Sequence, residues 1–277
     1  MIIQILILIF ISSCASFQEE RVIETDSIDS LRFETLNRYD KVRLQELKNK
    51  VTGIDRNLVM CHLGEEKESL QELADKLDTY FQDAKYWNAI AVCHIVQEDY
   101  NKAKFYIDKG LSAKFTDKKT KASLLNNLGL LYLKGEMLHE ANNQFEMALK
   151  EEKLLTTQYN LISIYLEFGM MEKAKEAIFP LYDKNPKDSD LIFAMGSYYL
   201  QIGKYQLALT FFQKLGAESH KRNDIANAMA ISYFQLGKYQ EAMNILKARN
   251  KNLTETKLSS VSIELEKMIN NKLKEAR

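Results

Sequence analysis

Proline is nearly absent from this 277-residue chain, with Pro180 and Pro186 the two present. Strand-rich folds need more punctuation than that, and the abundant Leu, Ala, Lys, Glu, Gln and Met favour helix, so the expected class is all-α. Cysteine is also scarce: Cys14, Cys61 and Cys93 are too few for a disulfide scaffold. Charge of one sign is missing, because 38 basic and 38 acidic side chains cancel. Without a concentrated basic face there is no electrostatic case for a nucleic-acid partner. No Gly-rich phosphate loop, zinc-ligand spacing or nucleophile elbow is present, so no catalytic residue, metal, cofactor or small-molecule substrate is expected, and the chain does not read as an enzyme.

What is present is a repeat. Gly169-Met170-Met171-Glu172-Lys173-Ala174, Gly203-Lys204-Tyr205-Gln206-Leu207-Ala208 and Gly237-Lys238-Tyr239-Gln240-Glu241-Ala242 place their alanines 34 residues apart. Ala141 lies 33 before Ala174, and Ala103 lies 38 before Ala141, which predicts a connector with four extra residues. Aligned on those alanines, position 7 holds Ile90, Leu128, Leu161, Met195 and Met229, and position 8 holds Ala91, Gly129, Ile162, Gly196 and Ala230. Position 11 holds His94, Tyr132, Tyr165, Tyr199 and Tyr233, and position 24 holds Ile107, Phe145, Ile178, Phe212 and Leu246. Trp87 stands at position 4 of the first unit and Pro186 at position 32 of the third.

This period and pattern resemble the tetratricopeptide repeat. The resemblance implies a right-handed superhelical solenoid of helix hairpins, with small residues at positions 8 and 20 where helices meet closely. One hairpin cannot bury its apolar face, so stability comes from stacking on neighbours. Ile162 at a small position and Arg249 at position 27 depart from the pattern. Leu58, Leu63, Leu70, Leu73, Ala74 and Leu77 suggest a degenerate unit before the first, and Leu36, Tyr39, Val42 and Leu47 another helix before that. Leu258, Val261, Leu265 and Met268 form the apolar stripe expected of a terminal cap.

The first residues read as an address. Residues 2–11 are apolar apart from Gln4, too short for the roughly 20 residues of a membrane span and suited to a signal-peptide core. They run into Ile11-Ser12-Ser13-Cys14, which resembles the bacterial lipobox, although no Lys or Arg precedes Cys14. That resemblance implies cleavage before Cys14 and its acylation, and several acyl chains anchor a protein stably. Ala15 and Ser16 after the cysteine imply outer-membrane sorting, facing the periplasm. The expected organisation is signal peptide 1–13, lipidated Cys14 and flexible tether 14–30, N-terminal helices with a degenerate repeat 31–82, five repeats 83–250, and a capping helix 251–277.

Cys61-His62 and Cys93-His94 form two Cys-His pairs 32 residues apart. Adjacent helical residues point about 100° apart, so four such ligands converge poorly on a metal. Buried thiols are the expected state, with a disulfide or a zinc site the less favoured readings. His94 fills a tyrosine slot and reads as a core residue, whereas His139 and His220 read as solvated. Glu65-Glu66-Lys67-Glu68 and Lys118-Lys119-Thr120-Lys121 read as solvated faces and a long connector.

By the family's pattern, the concave surface comes from positions 2, 5, 9, 12 and 13 of the first helices, with Val96 at 13 in the first repeat. Carried over, these give Asn88, Val92, Ile95, Asn126, Leu130, Leu133, Tyr159, Ser163, Leu166, Phe193, Ser197, Leu200, Asn227, Ile231 and Phe234. Neither Lys nor Arg stands at positions 5 and 9, which argues against a clamp for a C-terminal carboxylate. An exposed apolar stripe with scattered Asn and Ser suits capture of a protein partner as an extended or helical peptide. The other reading of the stripe is core, covered by the superhelix's own curvature or by the N-terminal helix. A lipobox followed by such repeats resembles two lipoprotein types: the pilotin of type IV pili, which carries a secretin to the outer membrane, and adaptors that hold peptidoglycan hydrolases or proteases near the wall. A regulatory subunit of an enzyme is the third reading, and the lack of convergent ionisable residues argues against it.

Overall fold

The computed structural model describes residues 26–33, 41–115, 117–249 and 256–275. The signal-peptide and Cys14 expectations lie outside them. Within them the chain is all α-helical apart from one isolated parallel bridge between Asp83 and Lys114 and a 3-10 turn, Ser219–Lys221. The helices are α1 Asp26–Asp29, α2 Lys41–Lys50, α3 Gly53–Leu63, α4 Glu66–Ala74, α5 Leu77–Tyr80, α6 Ala84–Val96, α7 Tyr100–Ser112, α8 Lys118–Lys134, α9 Leu138–Glu151, α10 Leu155–Glu167, α11 Met171–Lys184, α12 Ser189–Gln201, α13 Tyr205–Phe212, α14 Asn223–Gln235, α15 Tyr239–Ala248 and α16 Thr256–Glu275. Consecutive hairpins α6/α7 to α14/α15 are the five repeats, each packed on the next.

The 34-residue period has a backbone cause. The second residue after each first helix adopts a left-handed conformation: Glu98 and Glu136 at φ 60°, Gly169 at 67°, Gly203 at 75° and Gly237 at 73°. The next amide then reaches back to close the helix, as Met170 N–H does on Tyr165 C=O (2.8 Å) and Lys238 N–H on Tyr233 C=O (2.9 Å). This is a helix-terminating motif that favours glycine. Gly64, at φ 88° after α3, shows that α3/α4 uses the same device as the degenerate unit. Leu58 and Leu73 are buried there, whereas Leu77 on α5 is exposed rather than part of the stripe.

Packing across each hairpin follows positions 8 and 24. A Cβ added to Gly129 would lie 2.7 Å from the Phe145 ring, and one on Gly196 would overlap the Phe212 ring more severely. Glycine admits the aromatic ring, and Ala91 and Ala230 sit opposite the slimmer Ile107 and Leu246, all four fully buried. Ile162, the departure at this position, shares its core with Ile178 rather than with a ring.

Three expectations change. The four extra residues after Ala103 do not lengthen a connector: α8 has 17 residues where α6 has 13. Lys118-Lys119-Thr120-Lys121 is that extra turn, capped by the Asp117 carboxylate accepting from Thr120 N–H at 2.6 Å, with Lys121 paired to Glu151 at 2.5 Å. In the cap helix α16 the buried stripe is Ser262, Leu265 and Ile269, with Val261 and Met268 exposed. The Ser262 hydroxyl donates to Asn227 Oδ1 at 2.6 Å, which sets that rotation.

Cys61 and Cys93 are joined in a disulfide with Cα atoms 5.1 Å apart, correcting the expectation of two thiols. The bond ties α3 to α6 in the core that also holds Leu58, Leu73 and Tyr86. His62 and His94 do not converge with them on a metal. His94 is buried, stacked on Tyr106 at 5.3 Å between ring centres, and burial pushes its pKa below the usual histidine value. His139 is exposed as expected. His220 is half-buried, its Nε2 2.9 Å from Phe212 C=O, rather than freely solvated.

Candidate functional site: an asparagine ladder in the groove

First helices line the inner face of the array, so residues at repeat positions 5, 6 and 9 stand in rows across neighbouring repeats. Four asparagines form one such row: Asn88 on α6, Asn126 and Asn127 on α8, and Asn160 on α10. All are buried. A buried amide without partners costs a few kcal/mol, and these satisfy one another in part. Asn127 Nδ2 donates to Asn88 Oδ1 (3.1 Å), Asn126 Nδ2 to Asn127 Oδ1 (3.1 Å), and Asn160 Nδ2 to Asn126 Oδ1 (3.0 Å).

Their remaining capacity goes to the main chain of residues 29–33, which runs along the groove. Leu31 N–H donates to Asn127 Oδ1 at 3.0 Å, while Asn127 Nδ2 donates to Asp29 C=O at 3.1 Å. One repeat on, Phe33 N–H donates to Asn160 Oδ1 at 2.7 Å, and Asn160 Nδ2 donates to Leu31 C=O at 2.9 Å. Each side-chain amide therefore pairs with the C=O of one residue and the N–H two further on, as a neighbouring strand would. Asn88 adds a second donor to Asp29 C=O (2.9 Å) and Asn126 a second to Leu31 C=O (3.1 Å). His62 Nε2 lies 3.2 Å from Ile28 C=O. The contacts are to backbone, from the last residue of α1 to Phe33, so the ladder reads main chain irrespective of its side chains.

Side chains add a second layer. Ile28 packs in the core with Val92, and Leu31 in the core with Ile95 and Leu130. Phe33 lies against Leu133 with Lys134 Nζ 5.5 Å from its ring centre. Arg32 forms a buried ion pair with Asp190, in the first turn of α12, and its guanidinium lies 4.8 Å from the Tyr159 ring centre. Asp29 pairs with Lys119 at 3.5 Å. Burial raises the Asp29 carboxyl pKa, with Lys119 and Lys85 opposing.

The sequence-derived groove residues thus have three fates. Asn88, Val92, Ile95, Asn126, Leu130, Leu133 and Tyr159 meet residues 28–33 and are not an open stripe. Asn227, Ile231 and Phe234 are met by α16, through Ser262, Leu265 and Ile269. Ser163, Phe193, Ser197 and Leu200 lie between, half-buried, and Leu166 is buried among Ile162 and Tyr198. Residues 28–30, expected in a flexible tether, are docked, and Ser30 is fully buried. Sequence reasoning missed Asn127 and Asn160, which stand at position 6 rather than 5, and named no residue for position 2, where Asp190 stands. The adjacent pair Asn126-Asn127 within an apolar helix was the available signal. Among the described residues there is no group of three or more His, Cys, Asp or Glu able to hold a metal, and no helix long and apolar enough to cross a membrane.

Comparison with known proteins agrees with this architecture. A family model described as tetratricopeptide repeat matches residues 84–117, and one described as anaphase-promoting complex, cyclosome, subunit 3 matches residues 170–248. No curated protein matches the chain. A tetratricopeptide repeat protein from Parabacteroides merdae is similar in structure at 16% identity, covering 83% of this chain and 85% of that one, with a TM-score of 0.55. PilW, described as a widely conserved type IV pilus biogenesis factor, aligns at 16% identity over 80% of this chain and 99% of its own, with a TM-score of 0.59. A chain of the APC/C hetero-tetramer Cut9-Hcn1 aligns at 14% identity over 92% of this chain and 48% of its own, with a TM-score of 0.65, so the present chain spans about half of it. At these identities the likeness is one of fold.

Proposed function

We propose that this tetratricopeptide-repeat protein is a non-catalytic scaffold that captures an extended segment of a partner protein in its concave groove, at a bacterial envelope membrane to which Cys14 anchors it. The carrying observation is the ladder: Asn127 and Asn160 each satisfy a C=O of one residue and the N–H two further on in the main chain of residues 29–33. Such pairing gives affinity through backbone and leaves specificity to flanking pockets, which is the division of labour in strand-addition binding.

The envelope reading draws support from Ile11-Ser12-Ser13-Cys14 and from the Cys61–Cys93 disulfide, since disulfides persist in oxidising compartments such as the periplasm. Within the envelope, a pilotin-like role in assembling a type IV pilus secretin is the client reading we favour, because a lipobox followed by a repeat array suits it and PilW shares the fold. Recruitment of peptidoglycan hydrolases or proteases is the alternative. The test is photocrosslinking in cells from position 197, in the half-buried stretch of the groove, with the crosslinked partner identified by mass spectrometry. A secretin supports the pilotin-like reading, and an amidase or endopeptidase the adaptor reading. Absence of any crosslinked protein argues against the scaffold itself. Separately, Cys14→Ala is expected to release the chain from membranes after carbonate washing; full retention contradicts the anchor.

A further inference from the structure

Residues 28–33 occupy the positions a captured peptide would take, which raises the question of what the groove admits. We propose that this segment is a tethered competitor: the groove's ligand is a peptide of the same chemistry, small–Leu–Arg–aromatic, and it binds only when the segment leaves. The proposal rests on the groove reading above and deepens it.

The side-chain pockets supply the motif. Ser30 is fully buried, and Leu31 enters an apolar core of Ile95, Leu128 and Leu130. Asp190 and Tyr159 form an acidic, aromatic seat that Arg32 fills with a bidentate-capable, weakly hydrated cation. Phe33 closes the motif. None of these contacts depends on the segment belonging to the same chain, because the ladder bonds only its main chain.

The chain connection makes the competition effective. Residues 34–40 join the segment to α2, and so short a link holds it near the groove at an effective concentration on the order of millimolar. A free peptide of similar sequence with a dissociation constant of about 10–100 µM would then bind about ten- to hundred-fold more weakly than to an open groove.

The experiment uses a fluorescein-labelled synthetic peptide of residues 26–36 and fluorescence anisotropy on the full chain. Native protein is compared with Leu31→Asp/Arg32→Glu, with the milder Arg32→Ala, and with Leu31→Asp/Arg32→Glu combined with Asn127→Ala/Asn160→Ala. Expected are at least tenfold tighter binding to the Leu31→Asp/Arg32→Glu chain than to native, an intermediate gain for Arg32→Ala, and loss of binding when the two asparagines are removed. Equal binding to native and both segment variants overturns the competitor and leaves the groove reading standing. No binding to any chain, with helix content intact by circular dichroism, overturns both. If Leu31→Asp/Arg32→Glu fails to fold and Arg32→Ala gains nothing, the segment is a structural plug and the proposal fails. A native dimer by light scattering would mean exchange of the segment between copies, which also overturns it.

Discussion

Asn160→Ala isolates the ladder, because that one amide makes three bonds and touches no catalytic or charged group. It accepts from Phe33 N–H (2.7 Å), donates to Leu31 C=O (2.9 Å) and donates to Asn126 Oδ1 (3.0 Å). Leu31 C=O keeps its bond from Asn126 at 3.1 Å, so its loss is partial, on the order of 0.5–1 kcal/mol. Phe33 N–H loses the shortest bond of the set, and Asn126 Oδ1 loses a donor, at roughly 1 kcal/mol each. The sum, about 3 kcal/mol, raises the opening equilibrium of residues 29–33 roughly 150-fold. Amide hydrogen exchange reads this directly: the Leu31 and Phe33 amides should exchange about two orders of magnitude faster, with amides of α12 to α15 unchanged. Asn160→Asp keeps an acceptor for Phe33 N–H yet sets a carboxylate against Leu31 C=O, so it should open the segment about as much. Asn142→Ala, which removes an exposed pairing with Glu146, should change nothing. Exchange at Leu31 and Phe33 within twofold of native in an otherwise intact Asn160→Ala chain would refute the ladder.

Three further outcomes are expected. Replacing both Cys61 and Cys93 by Ser removes a cross-link across 32 residues and should cost about 3.5 kcal/mol by loop-closure entropy, measured by urea unfolding with and without reductant; equal midpoints would contradict it. Gly196→Ala forces a methyl into the Phe212 ring and should destabilise by about 1–3 kcal/mol, with Phe212→Leu in the same chain recovering much of the loss; additive losses would contradict the packing described. Burial holds the His94 imidazole below its ordinary pKa, so the unfolded chain takes up a proton near pH 6.5 that the folded chain refuses. Stability should therefore be full above that pH and decline as pH falls through it, and His94→Tyr should flatten that decline in unfolding titrations at pH 7.5 and 5.5.

The array was legible because its cause recurs. A left-handed residue must follow each first helix, and glycine fills that place in the last three units. The alanines at the hairpin crossings repeat with it. Where Glu98 and Glu136 take the left-handed place, the turn signal vanishes and only the core spacing remains. The longer α8 was misread for a related reason: four lysine-rich residues look solvated, and their helical fate depends on the Asp117 cap and on Glu151 across the hairpin. The disulfide was illegible because Cα separation across α3 and α6 is a tertiary quantity. The occupied groove was hidden for the deepest reason. Residues 28–33 are too short a stretch to show a period, and their partners lie 34 to 158 positions away. Of the asparagine row, Asn88 and Asn126 stand at the expected position 5, and Asn127 and Asn160, one place on, make the paired backbone contacts.

The central claim is that the groove grips a peptide main chain, now its own, and one crosslink tests it. With p-benzoylphenylalanine placed at position 33, ultraviolet irradiation of the purified chain should join that residue to α8 near Leu133 and Lys134, where Phe33 packs, and the adduct should remain monomeric. Crosslinks absent from α8, or confined to a second copy, would contradict the account.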